Sequence, residues 1–590
     1  MSRRTLGGLD GPDADADFWR WARARGVVAV RCEARDVAEG WRGIVATEDI
    51  ERDAVVLRVP GDILMSARSM ERDEQLRDAL RTHGETRSMT PADKLAVHLL
   101  LEASRGRGSR WHEYISRLPR AYNLLCCWTR RERAMLQDPA AIAVARRARD
   151  ATRQSWERAR DVLAALGLTL ANRWGSIDAW RWAHCTVSSR TVYVPYDAAG
   201  ALCPVGDLFN YAPPPPPHRH AIVGTPLEGG DEGGEHDDDE GEHEGKKDEG
   251  GREGKRWTTS GDGAWEEASR EYVFRARRPY VAGEQIMLCY GRHTNLGLLE
   301  HYGFLLDEKE SETGSAEPGN PHDAAAFALG FDLDDTDDAT AVTTSVTTTT
   351  TTTTTVVEAS AVDGSLEWEA TRGLRLWAAR RRPGGFGGGK GGGAADKRIR
   401  DAASRGFAVG ADVERRAFKA VADAAAAALT SVHLATTAKF DVDALARAKE
   451  AAEVVGGTRR DSEVIGGTRR LSEVIGGTSE DGTFLPGVED EPGEAPREWA
   501  RGDGEDGEDE DGEEEDGEEG GRDGEEEVDP DSNAGLALRW RLCHKRALQR
   551  AYRAAAARVE EASGGGGGGR GGGGGRGATV SRPRLRGGRS

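Results

Sequence analysis

The sequence predicts an α+β protein. A β-rich domain carries a helical insertion, a divergent and mainly α-helical domain follows it, and long disordered insertions interrupt both. Three observations predict this. Short segments rich in Val and Ile, at 44–60 and 272–290, have strand character. Sequence with helix caps and Ala/Leu patterning lies between them, over about 90–180. Beyond residue 397 the periodic segments are helical, separated by Gly-, Thr- and acid-rich tracts.

The elements follow in order. IVATEDIERDAVVLRVP (44–60) reads as two short β segments around a polar turn. Thr90-Pro91-x-Asp93, running into LAVHLLLEA, is a helix start: Thr90 caps, Pro91 suits the first helical position, and Asp93 faces the free N–H groups. Residues 130–166 continue helical, with Gly167 as a stop. YVFRARR (272–278) alternates like a strand, Gly283-Glu284 turns, and QIMLCY (285–290) is a buried strand. Further helices are expected over 397–454 and 535–562. Three decapeptide copies starting at Glu453, Glu463 and Glu473 are too short for a solenoid and read as linker expansion.

The chain has 590 residues and a net charge of −21. That charge is concentrated in two tracts. Residues 228–253 hold 13 acids and 3 bases, and residues 503–529 hold 18 acids and 1 base, so the remainder sits at +6. Acidity therefore excludes no acidic partner for the folded part. His236 and His243 within the first tract read as part of a solvated loop. No stretch approaches the ~20 apolar residues of a membrane span.

Of seven cysteines, Cys126 and Cys127 are adjacent and the others (32, 185, 203, 289, 543) are scattered singly, without a C-x-x-C pair, so neither a zinc knuckle nor a redox motif is indicated and no metal is expected. The odd count and the lack of an apolar leader favour a reducing compartment, cytoplasm or nucleus. Asp10, Asp13, Asp15 and Asp17 argue against a transit peptide without excluding a plastid.

Three segments combine strand, turn and unusual polar groups. They are Glu39-Gly40-Trp41-Arg42-Gly43 leading into IVA, Asp207-Leu208-Phe209-Asn210-Tyr211 after WAHCTVSSR (182–190), and GEQIMLCYG (283–291) followed by Asn295, Leu298-Leu299 and Tyr302-Gly303-Phe304. Singly, each reads as a turn or a core strand. In this order, with RGIVATEDI, VLRVP, WHEYISRLPR and Asn320-Pro321-His322-Asp323, they resemble the SET domain. The branch is that of Rubisco large-subunit lysine methyltransferase, in which a helical insertion splits the SET domain and a helical substrate-binding domain follows. The resemblance covers about 27–212 and 268–335 well. It is thin over 365–562, where LRWRLCHKRALQRA looks like that domain's closing helix.

The resemblance implies an organisation. Residues 1–26 would be a disordered N-terminus, and 27–307 a SET domain with a helical insertion at about 90–180 and a disordered acidic insertion at about 213–263. Residues 308–562 would be the substrate-binding domain, interrupted by low-complexity tracts at 336–363, 383–396 and 453–530, and 563–590 a disordered Gly/Arg tail. It also implies a protein-lysine N-methyltransferase using S-adenosyl-L-methionine. A protein-histidine methyltransferase of the same fold and a non-catalytic SET scaffold stand as alternatives.

In this reading Glu39, Gly40, Trp41 and Arg42 hold the cofactor through backbone, and Arg190 pairs with its carboxylate. Asn210 and Tyr211 contact its adenine and ammonium ends, and Phe304 packs on the adenine. Tyr290 is the catalytic tyrosine, and Tyr302 lines the amine channel. The family's Asn-His pair is Asn210-Tyr211 here, so imidazole packing is expected to be lost. Gly40-Trp41-Arg42-Gly43 departs from a plain G-x-G turn. The expected partner is a protein substrate met by a monomer, with no membrane and no metal. The tail's arginines on glycine are of the kind that contacts RNA phosphates.

Overall fold

The computed structural model describes residues 2–3, 12–38, 41–84, 88–214, 263–307, 319–331, 352–381, 407–430 and 532–564. It also describes short pieces at 309–310, 316–317, 333, 346–349, 398, 401–403, 405, 436, 441 and 444–447. The acidic insertion between 215 and 262, the tracts 383–396 and 453–530 with their decapeptides, and the Gly/Arg tail after 564 lie outside the described residues, so the expectations placed on them stay expectations.

The first element corrects an expectation. Residues 1–26 read as disordered, but Pro12–Ala24 form helix α1. Phe18, Trp21 and Ala22 fall three and four residues apart and are buried, and the Trp21 indole donates to the Arg110 carbonyl at 3.1 Å. Asp13 and Asp15, two of the aspartates counted against a transit peptide, fall at the start of this helix, where its dipole favours negative charge.

Strands β1 (Val28–Ala29), β2 (Cys32–Ala38), β3 (Trp41–Ala46) and β4 (Val55–Pro60) follow. The two segments expected in 44–60 are thus β3 and β4. The helices come next. α2 (Pro91–Ser104) opens with a reciprocal capping box: Thr90 Oγ1 accepts from the Asp93 N–H at 3.1 Å, and Asp93 Oδ2 accepts from the Thr90 N–H at 3.0 Å. Arg158 on α3 (Pro139–Ala165) donates to the same carboxylate at 3.0 Å, tying the two helices together. Leu95, Leu99, Leu100 and Leu101 of α2 are buried, each contributing about 1.5–3 kcal/mol. Gly167 ends this stretch with φ +75°. α4 (Ile177–Arg190) is fixed by tryptophans whose indoles are satisfied: Trp180 donates to Ser155 Oγ at 2.7 Å and Trp182 to the Pro119 carbonyl at 2.8 Å.

After α4 the chain returns to sheet. β5 (Thr191–Val194) and β6 (Asp197–Leu202) form a hairpin, and β7 (Asn210–Tyr211) is a two-residue strand. β8 (Gly263–Glu266) pairs with β9 (Glu271–Arg275), which pairs with β4. β10 (Gln285–Leu288) runs antiparallel to β3 and parallel to β7, with Met287 beside Asn210 and Leu288 beside Tyr211. The site below depends on that parallel pair, which brings together residues nearly 80 apart in sequence.

α5 (Asn295–His301) leads into the C-terminal part. There β11 (Ala324–Ala328), β12 (Val346–Thr349) and β13 (Thr352–Ser360) form a three-stranded antiparallel sheet. This corrects the reading of 336–363 as a low-complexity interruption. Threonine is β-branched and fits a pleated strand, so most of the nine-Thr run becomes a hairpin. The core pairing, Ala324–Ala328 against Val356–Ser360, uses the run's apolar sequel. Helices α6 (Trp368–Arg380), α7 (Ala411–Thr430) and α8 (Asn533–Gly564) complete the region. α7 occupies the middle of the expected 397–454 stretch, and α8 matches the expected closing helix. α8 is fastened by a buried cluster in which Arg541 and Lys545 reach opposite oxygens of Asp441 at 2.6 and 2.7 Å, while Arg541 also donates to the Met135 carbonyl at 3.1 Å. Among the described residues no helix is long and apolar enough to cross a membrane.

Candidate active site

The parallel pair β7/β10 delivers two tyrosines to one place. Tyr211 ends β7, and Tyr290 lies two residues beyond β10. Their ring centroids are 5.2 Å apart. α5 and the turn after it add Tyr302, 5.1 Å from Tyr290, and Phe304, 6.0 Å from Tyr211. The result is a wall of four aromatic rings, packed on Leu298. The Tyr290 hydroxyl donates to the Phe209 carbonyl oxygen. Burial raises the Tyr290 and Tyr211 hydroxyl pKa values and pushes that of Tyr302 up to about 12, so all three stay protonated at neutral pH.

Gly303 has to be glycine. Its φ is +74°, and a Cβ there would meet the Asn123 carbonyl carbon at 2.8 Å and the Leu124 nitrogen at 2.9 Å. The turn holding Tyr302 and Phe304 is thereby pressed onto the 122–128 segment. Gly43 has a similar duty on the other side. A Cβ would reach Gln285 Nε2 at 2.5 Å and Asn210 Nδ2 at 2.9 Å. Its absence lets Asn210, buried at 3 %, donate from Nδ2 to the Arg42 carbonyl at 3.0 Å.

Arg190, at the last turn of α4, is buried. Its Nη1 donates both to Asp207 Oδ2 and to the Asp207 carbonyl, each at 3.1 Å, and the Tyr114 hydroxyl donates to the same Oδ2 at 3.0 Å. Burial works to lower the Arg190 pKa, but Tyr122, Asp207 and Tyr114 outweigh it, so the guanidinium stays charged. Burial pushes the Asp207 carboxyl upward against the pull of Arg190. Arg190 Nε is buried with no hydrogen-bond partner. Such a donor is costly to bury unless something accepts from it.

The expected residues therefore fall into three groups. Tyr211, Tyr290, Tyr302 and Phe304 meet in one cluster. Asn210 adjoins it through β7 and reaches Arg42 at the start of β3. Arg190 sits under it, bound to Asp207, two residues before Phe209. Glu39 and Gly40 lie outside the described residues, and Trp41 is placed by its backbone in β3. Tyr211 brings packing of its own in place of the imidazole's. Its ring joins the aromatic wall, and its hydroxyl donates to the Gly291 carbonyl at 3.0 Å.

Sequence reasoning missed the supporting polar groups. Asp207 and Tyr114 hold Arg190, and Tyr122 donates to or accepts from Thr186 on α4 at 2.9 Å. Asn295, buried at 1 %, is gripped by Asp323 at 2.8 and 3.0 Å and by Asn320 at 3.2 Å, which fixes the start of α5. Burial raises the Asp323 pKa to about 6. A usable signal existed for Asn295, Asn320 and Asp323, all inside quoted motifs. Tyr114 also lies inside a quoted motif, WHEYISRLPR, but nothing local pairs it with Asp207, and Tyr122 lies just beyond that motif. A second correction concerns sulfur: Cys185, read as scattered, brings its Sγ to those of the adjacent pair Cys126 and Cys127.

No family model matches the chain. It is 37% identical over 274 residues to Protein SET DOMAIN GROUP 40 of Arabidopsis thaliana, covering 46% of this chain and 52% of that protein. It is 24% identical over 342 residues to actin-histidine N-methyltransferase of Drosophila melanogaster, covering 54% and 52%. A third relative, the chloroplastic [fructose-bisphosphate aldolase]-lysine N-methyltransferase of Arabidopsis thaliana, is 24% identical over 204 residues, covering 34% and 40%. The matches thus span about half the length of the curated relatives, or less. Rubisco LSMT bound to AdoMet superposes with a TM-score of 0.50 at 17% identity, over 93% of each chain. The SET domain of LSMT bound to MeLysine and AdoHcy gives 0.51 at 17%, over 94% of each. The chain has the SET fold of LSMT, and it is related to the SET-domain proteins of that kind.

Proposed function

We propose that this chain is an S-adenosylmethionine-dependent protein methyltransferase that methylates the side-chain amine of a lysine on a protein substrate. The observation that carries the proposal is the aromatic wall of Tyr211, Tyr290, Tyr302 and Phe304, with the Tyr290 hydroxyl held against the Phe209 carbonyl beside β7/β10. The aldolase-lysine N-methyltransferase among the relatives supports the same reading by its name.

The residues present fit the cofactor at one telling point: Arg190 is a buried cation whose Nε has no acceptor. In our proposal that nitrogen meets the carboxylate of the methionine portion, while Asp207 keeps the guanidinium plane in place. The Asn210 and Tyr211 main chain, the Glu39-to-Arg42 backbone and the Phe304 ring hold the remainder. When bound, S-adenosylmethionine supplies a methyl on a sulfonium.

The chain's own residues supply alignment and desolvation. A free lysine has a pKa of about 10.4 and must lose its proton before its lone pair can attack. An aromatic channel lined by Tyr302 favours the neutral amine. The Tyr290 hydroxyl and neighbouring carbonyl oxygens would hold the amine in line with the methyl group.

A histidine target is a second reading, favoured by the actin-histidine N-methyltransferase among the relatives. An imidazole is largely neutral at pH 7 and needs no help from the channel to lose a proton. Calorimetric titration with S-adenosylmethionine comes first, and absence of binding would sink both enzyme readings in favour of a scaffold. If the cofactor binds, incubation of a cell extract with labelled cofactor, followed by mass spectrometry of the modified site, separates lysine from histidine.

A further inference from the structure

We infer that Cys126, Cys127 and Cys185 form a binding site for a soft d10 metal ion, zinc(II) or copper(I). The three residues come from two elements. Cys126 and Cys127 lie in the short 3-10 turn Leu125–Cys127, and Cys185 lies on α4. Their Sγ atoms are separated by 3.9 Å (126 to 127), 3.5 Å (126 to 185) and 3.4 Å (127 to 185). Three thiolates around a tetrahedral zinc, with Zn–S of about 2.3 Å, stand about 3.8 Å apart, so the triangle matches three corners of such a site within a few tenths of an ångström. Thiolate sulfur is the donor that zinc and copper(I) select.

A disulfide explains less of the arrangement. It needs an S–S distance of about 2.05 Å, uses two sulfurs, and leaves the third thiol stranded. Here all three sulfurs face one point. All seven cysteines are free thiols, and only this group converges among the described residues. Cys126 and Cys185 are buried, whereas Cys127 is half-buried and marks the side from which an ion enters. On binding, each coordinating thiol gives up its proton to solvent, and water or an external thiol completes a fourth position on zinc.

The site has a structural consequence for its neighbours. α4 carries Arg190 five residues beyond Cys185. The 122–128 segment carries Tyr122, hydrogen-bonded to Thr186, and the Asn123–Leu124 backbone against which Gly303 is pressed. A metal bridging the two would clamp the Arg190 helix to the base of the Tyr302–Phe304 turn. The inference does not depend on the reaction proposed above.

The test uses the full chain, reduced and chelator-stripped under argon, and cobalt(II) alone as the first probe. One cobalt per chain, with thiolate-to-cobalt charge-transfer bands and the intense visible bands of a tetrahedral site, is expected. Zinc(II) or copper(I) should bleach them, and metal analysis of the protein as purified tells which of the two it carries. Cys185→Ser and Cys127→Ser should lose the bands, and Cys543→Ser should keep them. Because Cys127 is half-buried, its variant keeps the test meaningful if Cys185→Ser fails to fold, with circular dichroism as the check. The inference is overturned if no stoichiometric cobalt binds, or if the bands persist in folded Cys127→Ser. It is equally overturned if, on exposure to air, the stripped protein closes a disulfide among these cysteines, two hydrogens lighter by mass with oxygen as the acceptor, while its reduced form under argon takes up no metal.

Discussion

The SET core and the C-terminal region bury themselves in different ways. The core cluster is built from large side chains, with Phe18, Trp111, Trp180, Tyr114, Phe209, Phe274 and many leucines closing around twisted strands. The C-terminal cluster is dominated by alanine: Ala417, Ala422, Ala425, Ala547, Ala551 and Ala555 let α7 and α8 approach closely with little side chain between them. Alanine buries little area per residue, so the second region has less hydrophobic stabilisation to draw on and leans on polar fasteners. Asp441 with Arg541 and Lys545 is one, and Arg375 with Glu414, at 2.9 Å, is another. The core places its polar bonds where they position a site; the C-terminal region places them where they hold helices together.

Four measurements would break or sharpen this contrast. The largest effect is expected from Asp441→Ala. It strands two buried cations, and a loss of about 3–5 kcal/mol should appear as a lowered denaturant midpoint. If the loss is under 1 kcal/mol, polar fastening does not hold this region. Gly303→Ala comes next. Strain at positive φ plus the backbone clash should cost about 3 kcal/mol and disturb the aromatic wall; a neutral result would mean that the 122–128 segment yields.

Tyr290→Phe should lower kcat by about 10²-fold or more, with little change in melting temperature or in cofactor affinity by calorimetry. An unchanged kcat would remove Tyr290 from the chemistry. The effect that is smallest at neutral pH concerns His98, enclosed near Ser69 and Trp111, whose pKa burial lowers to about 3. The unfolded chain binds this proton near pH 6.5 and the folded chain does not. Its contribution is therefore fully present above pH 6.5 and falls away as pH drops toward 3. His98→Gln should flatten the stability profile between pH 6.5 and 4, by about 1.4 kcal/mol per pH unit at the steepest. An identical slope would show that His98 is not the group titrating.

The same contrast explains what could be read from the sequence. The site in the core was legible because its parts are short, local and chemically odd. Gly303 betrays a positive φ, Asn210 and Tyr211 end a strand, and Gly283-Glu284 turns into β10. What was not legible came through packing across sequence distance. Tyr114 and Asp207 meet from 93 residues apart, and Cys126 meets Cys185 from 59. No local pattern records that. In the C-terminal region low complexity misled. The Thr run has the composition of an insertion and the strand propensity of a hairpin, and only the pairing partners at 346–349 decide between them. The N-terminal helix was missed for a related reason: its aspartates were counted as charge and not as a helix start.

The parallel pair β7/β10 has a consequence for how such a protein can change over generations. Asn210–Tyr211 lies beside Met287–Leu288, and Gly263 opens β8, so the connection from Pro214 to Gly263 has both ends fixed by sheet pairing. Even for a freely jointed connection, the closure cost grows only as the logarithm of length, about 0.6 kcal/mol for each doubling. The stretch between Pro214 and Gly263 can therefore lengthen, shorten or change its charge at almost no energetic cost to the tyrosines it separates. A joint of this kind accepts new sequence between two paired strands while the strands themselves stay put.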